Sequence, residues 1–182
     1  MPLLSSILQR GILACAIAGA PSLDAGAAAP KPASCDQTPQ FHLLDFWVGK
    51  WDVVSGKNHG LDVVEKQLDG CAITEKWDGG PGDKGFSLFY FNRFTQKWTQ
   101  VWVTNSATSL GGLKEKYFIG SPAPGAVRFQ GTLPGLYRGK YVLDHTTLTP
   151  LPHGRVHQVI ETSTDGGSTW HTGFDAIYVP IK

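Results

Sequence analysis

The chain has 182 residues and a net charge of +1, with no basic or acidic block. This length suits one domain with a substantial core, and without a concentrated positive field neither nucleic acid nor an anionic membrane surface is an implied partner. The 22 glycines, 12 prolines and six tryptophans, beside a single methionine, favour strands and turns over a helical bundle.

Residues 1–30 have the pattern of an export signal. A weakly basic start is followed by an apolar run over 11–20 and by small residues up to Ala29. The run is shorter than the roughly 20 apolar residues that span a bilayer, so a cleaved secretory signal is favoured over a membrane anchor. A lipid-modified Cys15 is the weaker alternative. We predict a signal over 1–30, one domain over 31–182, and a periplasmic or secreted protein without membrane contact after cleavage.

Cleavage near Ala29 leaves two cysteines, Cys35 and Cys71. An even pair in an oxidising compartment predicts a disulfide, which would join the start of the mature chain to the third strand. Two unrelated thiols are the alternative.

A short helix is predicted ahead of the first strand. Apolar residues recur through 41–47 with the spacing of about two helical turns, and Pro39 is well placed at its start. So short a helix is not stable alone, so we expect it to pack against something larger.

Ten β-like runs follow, each ended by a turn signal: 51–55, 61–68, 71–78, 84–92, 97–105, 112–120, 126–132, 139–149, 154–162 and 169–179. Short strands at this regular spacing indicate an antiparallel meander. Closing the meander removes its exposed edges. We predict an all-β fold, a closed antiparallel meander barrel of about ten strands with a short N-terminal helix. A sandwich is the alternative.

The third to fifth strands carry polar groups among aromatics on one face. Successive strand residues point to opposite sides, so Glu75 shares the face of Ile73 and Trp77, opposite a face that belongs in water. On the fifth strand Trp98, Gln100 and Trp102 share a face. The parity of the fourth strand is ambiguous, and Ser87 joins the others only if its face is inward.

An inward Glu75 needs hydrogen-bond donors, because burying a carboxylate without partners is costly. Ser87 and Gln100 are candidates, as are Arg128 and Arg155. These groups either fix a polar or amphiphilic ligand in an apolar cup or form a network that braces the barrel. The predicted ligand-binding residues are Glu75, Trp77, Ser87, Trp98, Gln100 and Trp102.

No catalytic residue, metal or cofactor is predicted. The six histidines lack metal-ligand spacing, and a haem or metal contact between His157 and His171, on strands expected to be neighbours, is a remote alternative. Nucleophile motifs, phosphate loops and dinucleotide fingerprints are absent from the sequence. Asp52 or Glu161 could pair with Glu75, although a chain with 15 acidic residues offers many such pairs.

The segment from Ser163 to Trp170 fits the pattern S-x-D-x-G-x-x-W. It resembles the Asp-box hairpin of sialidase-like propellers, in which the aspartate caps the turn. Asp and Gly turn chemistry explains such a turn, so we interpret it as structural. A single copy argues against a propeller.

Larger motifs carry a family resemblance: Phe41-x4-Phe46-Trp47-Val48-Gly49-Lys50-Trp51-Asp52-Val53, Gly70-Cys71-Ala72-Ile73-x-Glu75-x-Trp77, Gly85-x-Ser87-x2-Tyr90, Trp98-x-Gln100-x-Trp102-Val103-x-Asn105, and Ser163 to Trp170 followed by Phe174-Asp175 and Tyr178. Over residues 35–179 the chain resembles exported bacterial DUF1579-like domains of unknown function. That group is similar to the calycins (lipocalins and fatty-acid-binding proteins) and to nitrobindin-like barrels. The resemblance implies a closed barrel with a central cavity, a helix near one mouth and a Cys35–Cys71 pair, and it carries over no catalytic residue.

Together these observations predict an exported barrel that binds a small, partly apolar ligand in its interior. The alternatives are an enzyme that uses Glu75 with an inward histidine, and a structural module with a filled core. The volume of the cavity distinguishes a ligand-binding barrel from one with a filled core, because a ligand cup needs roughly a few hundred Å³.

Overall fold

A computed structural model describes residues 33–133, 139 and 141–182. The predicted signal over 1–30 lies outside these residues. None of the helices in the described part is long and apolar enough to cross a membrane.

Ten strands form one closed barrel: β1 (Gly49–Ser55), β2 (Asn58–Gln67), β3 (Ala72–Asp78), β4 (Lys84–Asn92), β5 (Lys97–Thr104), β6 (Leu113–Gly120), β7 (Val127–Thr132), β8 (Leu143–Leu151), β9 (Arg155–Ser163) and β10 (His171–Pro180). Each strand pairs antiparallel with the next in the chain, and β1 pairs with β10 to close the ring. The predicted closed meander is confirmed and the sandwich is wrong. The architecture fits a calycin-like fold.

The first hairpin is tighter than predicted. Residues 56–60 were expected to form a loop, but Ser55 pairs with Asn58, which leaves Gly56 and Lys57 as the turn. Gly56 has a φ of 59°, in the left-handed region that favours glycine. Strand β2 therefore begins at Asn58, and Gly60 pairs with Val53 of β1.

The predicted N-terminal helix is instead a series of 3₁₀ turns over Cys35–Gln37, Pro39–His42 and Asp45–Trp47. Their bonds span three residues, as in Trp47 N–H to Leu44 O at 3.0 Å. Because nucleating an α-helix is costly and few residues are available to propagate it, short 3₁₀ turns serve as the connector.

This N-terminal segment fills one end of the barrel with aromatic rings. The Phe41 ring lies 5.6 Å from that of Phe91 and 6.0 Å from that of Trp98. Trp47 is fully buried, with its ring 5.4 Å from Phe89. We call this end the plugged end.

A disulfide between Cys35 and Cys71 is present, which confirms the predicted pairing. It links the first 3₁₀ turn to the loop that precedes β3, where Asp36 N–H also donates to Asp69 O at 3.2 Å. The disulfide therefore anchors the plugging segment to the barrel wall.

The last hairpin has the predicted structural turn. Asp165 Oδ1 accepts from Thr169 N–H at 2.9 Å and from the Ser163 hydroxyl at 2.7 Å, and Asp165 Oδ2 accepts from the Thr169 hydroxyl at 2.6 Å. These bonds hold the pKa of Asp165 well below its usual range. The Trp170 indole closes the turn by donating to Gly167 O at 3.0 Å.

Candidate ligand-binding cup

A cavity of about 180 Å³ lies inside the barrel, away from the plugged end. It lies toward the ends of β3 and β5 that carry Trp77 and Trp102, whereas the plug contacts the opposite end of β5 at Trp98. The lining residues are Glu75, Trp77, Asp83, Gln100, Trp102, Lys114, Lys116, Thr146, Gln158, Ile160, Phe174 and Tyr178. We call this cavity the cup.

The cup is smaller than predicted. Its volume of about 180 Å³ falls below the roughly 300 Å³ at which pockets for drug-sized ligands begin. A cluster of buried apolar side chains fills much of the interior beside the cup. A cavity of about 150 Å³ is enough to bind benzene, so the cup suits a single ring with a small substituent.

Two glycines make room for the tryptophans that line the cup. A Cβ on Gly60 would stand 2.3 Å from the Trp77 ring, and one on Gly85 would stand 2.1 Å from the Trp102 ring. Both distances are far inside contact range, so each indole lies across a strand position that only glycine can occupy. The Phe174 ring meets Trp77 edge to face at 6.1 Å.

A chain of hydrogen bonds connects the three polar residues predicted to converge. Gln100 Nε2 donates to Ser87 Oγ at 3.1 Å, and Ser87 Oγ donates to Glu75 Oε2 at 2.5 Å. Glu75 lies opposite Ser87 in the β3–β4 ladder, which settles the ambiguous parity of β4. The second amide atom, Gln100 Oε1, is buried and finds no hydrogen-bond partner within the described part of the chain.

Asp62, a second carboxyl group, lies beside Glu75. It is fully buried on β2, where Val64 pairs with Glu75 and Asp62 pairs with Trp77. Burial and the charge of Glu75 raise the pKa of Asp62 to about 10. Burial also raises the pKa of Glu75 to about 7, against the Ser87 hydrogen bond and the Lys116 charge, which lower it.

Two lysines from β6 supply the positive charge of the interior. Lys114 Nζ lies 2.8 Å from Asp144 Oδ2, and the buried Lys116 ammonium contacts both Asp144 and the Thr146 hydroxyl. Burial lowers the pKa of Lys114 to about 8. Burial and the neighbouring Lys114 charge also lower the pKa of Lys116.

The expectation that Arg128 or Arg155 would serve Glu75 is wrong. Arg128 Nε donates to Thr147 Oγ1 at 2.8 Å, and Arg155 Nε donates to Pro152 O at 3.3 Å. The basic groups whose charges act on Glu75 are instead Lys116 and Lys114, because strand alternation turns both side chains inward.

Four of the six residues predicted to bind a ligand line the cup, namely Glu75, Trp77, Gln100 and Trp102. The other two do not. Ser87 is fully buried and reaches the cup only through its bonds to Glu75 and Gln100. Trp98 belongs to the plugged end, where its indole donates to Gln40 O at 2.8 Å.

Sequence reasoning missed the lining residues Asp83, Lys114, Lys116, Thr146, Gln158, Ile160, Phe174 and Tyr178, together with Asp62 beside Glu75. Alternation on β2 offers a signal for Asp62, because Asp62 and Val64 have the same parity. The run Lys114-Glu115-Lys116 offers none, since it has the composition of a solvated surface strand.

Two other pairings considered from sequence, His157 with His171 and Asp52 with Glu75, do not form. Strands β9 and β10 are neighbours, but His157 pairs with Ile177 while His171 pairs with Thr162, far along the ladder. Asp52 contacts His59 at 2.9 Å and does not reach Glu75. Across the described ranges, no three His, Cys, Asp or Glu side chains converge as a metal site.

No family model matches the chain, and a search of curated proteins finds no significant relative. The class of protein is therefore defined by the fold and its interior. It is a closed antiparallel barrel that fits a calycin-like fold, with a disulfide-anchored plug at one end and, toward the other, a small cup lined by both polar and aromatic side chains.

Proposed function

We propose that this protein is an exported barrel that binds a small, partly apolar ligand in the cup. The observation that carries the proposal is Gln100 Oε1, a buried acceptor that lines the cavity without a partner in the described residues. Leaving a buried acceptor unsatisfied costs about 1–3 kcal/mol. A ligand that donates a hydrogen bond to this atom recovers that free energy, and the indoles of Trp77 and Trp102 supply apolar contact.

The Cys35–Cys71 disulfide supports the exported location. Disulfides persist in oxidising compartments and are rare where glutathione keeps thiols reduced. This agrees with the export signal predicted over 1–30.

A cup-filling variant tests the proposal. Ligand-observed NMR with a library of single-ring compounds is run on the wild type, on Ile160→Phe and on Ile177→Phe. Ile160 lines the cup, whereas Ile177 lies at an outward position on the neighbouring strand. We expect the wild type and Ile177→Phe to bind the same compounds and Ile160→Phe to lose them. A wild type that binds none of them, or undiminished binding to Ile160→Phe, contradicts the proposal.

The pair of Asp62 and Glu75 favours acid–base catalysis as a second candidate function. A carboxyl group with a pKa near neutrality is suited to proton transfer, and burial raises that of Glu75 to about 7. The inward histidine expected as its partner is not among the lining residues, and Asp62 stands beside Glu75 instead. This candidate predicts a turnover with an inflection near pH 7 that Glu75→Gln abolishes.

A further inference from the structure

We infer that the ligand of the cup is a small, neutral, planar molecule that carries an N–H donor and a carbonyl acceptor side by side, such as an aromatic carboxamide or a small lactam. This inference rests on the proposed function and names the ligand class for the same site. Four features of the cup carry it: a free acceptor, a free donor, a balanced charge and aromatic walls.

The free acceptor is Gln100 Oε1. Ser87 donates its single hydroxyl proton to Glu75, so Ser87 Oγ must accept from Gln100, which places the amide nitrogen on Ser87. The amide oxygen of Gln100 then remains as an acceptor on the cavity wall. Only a donor from a bound molecule or a water satisfies it.

The free donor is the Lys114 ammonium. It carries three N–H groups, and one of them is directed at Asp144 Oδ2 over 2.8 Å. The side chain is 15% exposed and lines the cup. Because Trp102 pairs with Lys114 and Gln100 pairs with Lys116, Gln100 and Lys114 are diagonal neighbours on adjacent strands. The backbone positions of such neighbours lie about 7–8 Å apart, and both side chains line the same cavity, so we place the ligand's amide group between them.

The basic and acidic side chains that face one another inside the barrel are equal in number. Lys114 and Lys116 both contact Asp144, and Glu75 is the second acidic group that lines the same cavity. Asp62 and Tyr178 are buried without an oppositely charged partner in the described part of the chain, and buried acidic groups that lack such a partner stay neutral. Asp83 also lines the cup, but it is an exposed residue of the β3–β4 loop.

A charge-balanced interior disfavours an ionic ligand of either sign. An anion or a cation would enter as an uncompensated charge and would lose its hydration shell. A neutral amide loses less hydration and replaces it with bonds from Lys114 and to Gln100. The rings of Trp77, Trp102 and Phe174 line the cup, and its volume of about 180 Å³ is enough for a flat ring of benzene size.

The test compares four probes of nearly equal size by calorimetry or NMR titration near neutral pH: benzamide, benzoate, benzylammonium and toluene. We expect benzamide to bind at least about tenfold more tightly than each of the others, since one hydrogen bond to a charged group is worth about 1.5–3 kcal/mol. Gln100→Leu should weaken benzamide about five- to tenfold and leave toluene unchanged.

Gln67→Leu is the matched control, because Gln67 also donates to a hydroxyl, that of Thr74 at 3.1 Å, away from the cup. It should leave all four affinities unchanged. If benzoate, benzylammonium or toluene binds most tightly, the inferred ligand class is overturned while the proposed function stands. If none of the four binds and the single-ring library also fails, both are overturned.

Discussion

Asp62 and Glu75 place two carboxyl groups side by side in the barrel interior, on adjacent strands and with at most 4% of either residue exposed. Such a pair does not carry two negative charges, because each ionised form disfavours the other. Burial raises the pKa of both groups, and that of Asp62 more. The pair therefore holds a proton at neutral pH.

The contribution of Asp62 and Glu75 to the free energy of unfolding should fall as pH rises through the neutral range. A carboxyl group with a raised pKa in the folded state holds its proton there after the unfolded chain has lost it. The stability that this proton contributes is complete below the ordinary pKa of the group. It is lost as pH rises toward the pKa in the folded state, which is about 7 for Glu75 and about 10 for Asp62.

Asp62→Asn tests this, because asparagine keeps the shape and cannot ionise. The variant should gain at least about 1 kcal/mol more stability near pH 8 than near pH 5, since one pKa unit is worth about 1.4 kcal/mol. Urea unfolding at both pH values measures the difference, with Asp69→Asn in an exposed loop as the control. Equal effects of Asp62→Asn at the two pH values would refute the shared proton.

Removing the Lys116 ammonium should be strongly destabilising. Lys116→Met keeps most of the stem and leaves the buried Asp144 with Lys114 alone, and breaking a buried pair costs about 3–5 kcal/mol. Lys114→Met should cost clearly less, because that side chain is partly exposed and Asp144 keeps Lys116. Chemical denaturation of both variants measures how much stability each substitution removes. Equal losses would show that the two lysines are equivalent.

The disulfide should contribute about 3–4 kcal/mol through the unfolded chain, because it closes a loop over a sequence separation of 36 residues. The Cys35→Ala/Cys71→Ala double variant should lose that stability, and the reduced wild type should match it. Denaturant midpoints of the oxidised, reduced and double-variant proteins give the comparison. A reduced wild type as stable as the oxidised one contradicts the prediction.

Gly85→Ala should disturb the cup wall, since its Cβ would stand 2.1 Å from the Trp102 ring. Overpacking of this kind costs about 1–3 kcal/mol, and the displaced indole should change the near-ultraviolet circular dichroism. Gly173→Ala is the matched control, because the nearest atom to its added Cβ lies 3.9 Å away. Similar spectra for the two variants would mean that Trp102 does not depend on Gly85.

The barrel could be predicted from sequence because its signals are local. Each strand alternates in polarity and each hairpin has its own turn residues, as in the Asp165 turn. The inward direction of Glu75 follows in the same way, since its outward neighbours Thr74 and Lys76 are polar. The strands and the inward direction of Glu75 both follow from the alternation of side chains within a single strand.

The charge pattern of the cup could not be predicted in this way. That Lys116 meets Asp144 depends on the register of β6, β7 and β8, which brings together residues far apart in the sequence. Buried lysines have the same residue type as solvated ones, so composition carries no signal for them. The parity of a strand fixes the face on which a side chain lies but not its position along the barrel axis. Trp98 therefore shares a face with Trp102 and yet lies at the plugged end.

The most direct test of the account follows the six tryptophan indole N–H signals by NMR during titration with whichever of the four probes binds most tightly. We expect the shifts to concentrate on Trp77 and Trp102, which line the cup. The indoles of Trp51, Trp98 and Trp170 donate to backbone carbonyls elsewhere and should stay in place. Shifts centred on Trp98 or Trp170, with Trp77 and Trp102 unmoved, would contradict a ligand site in the cup.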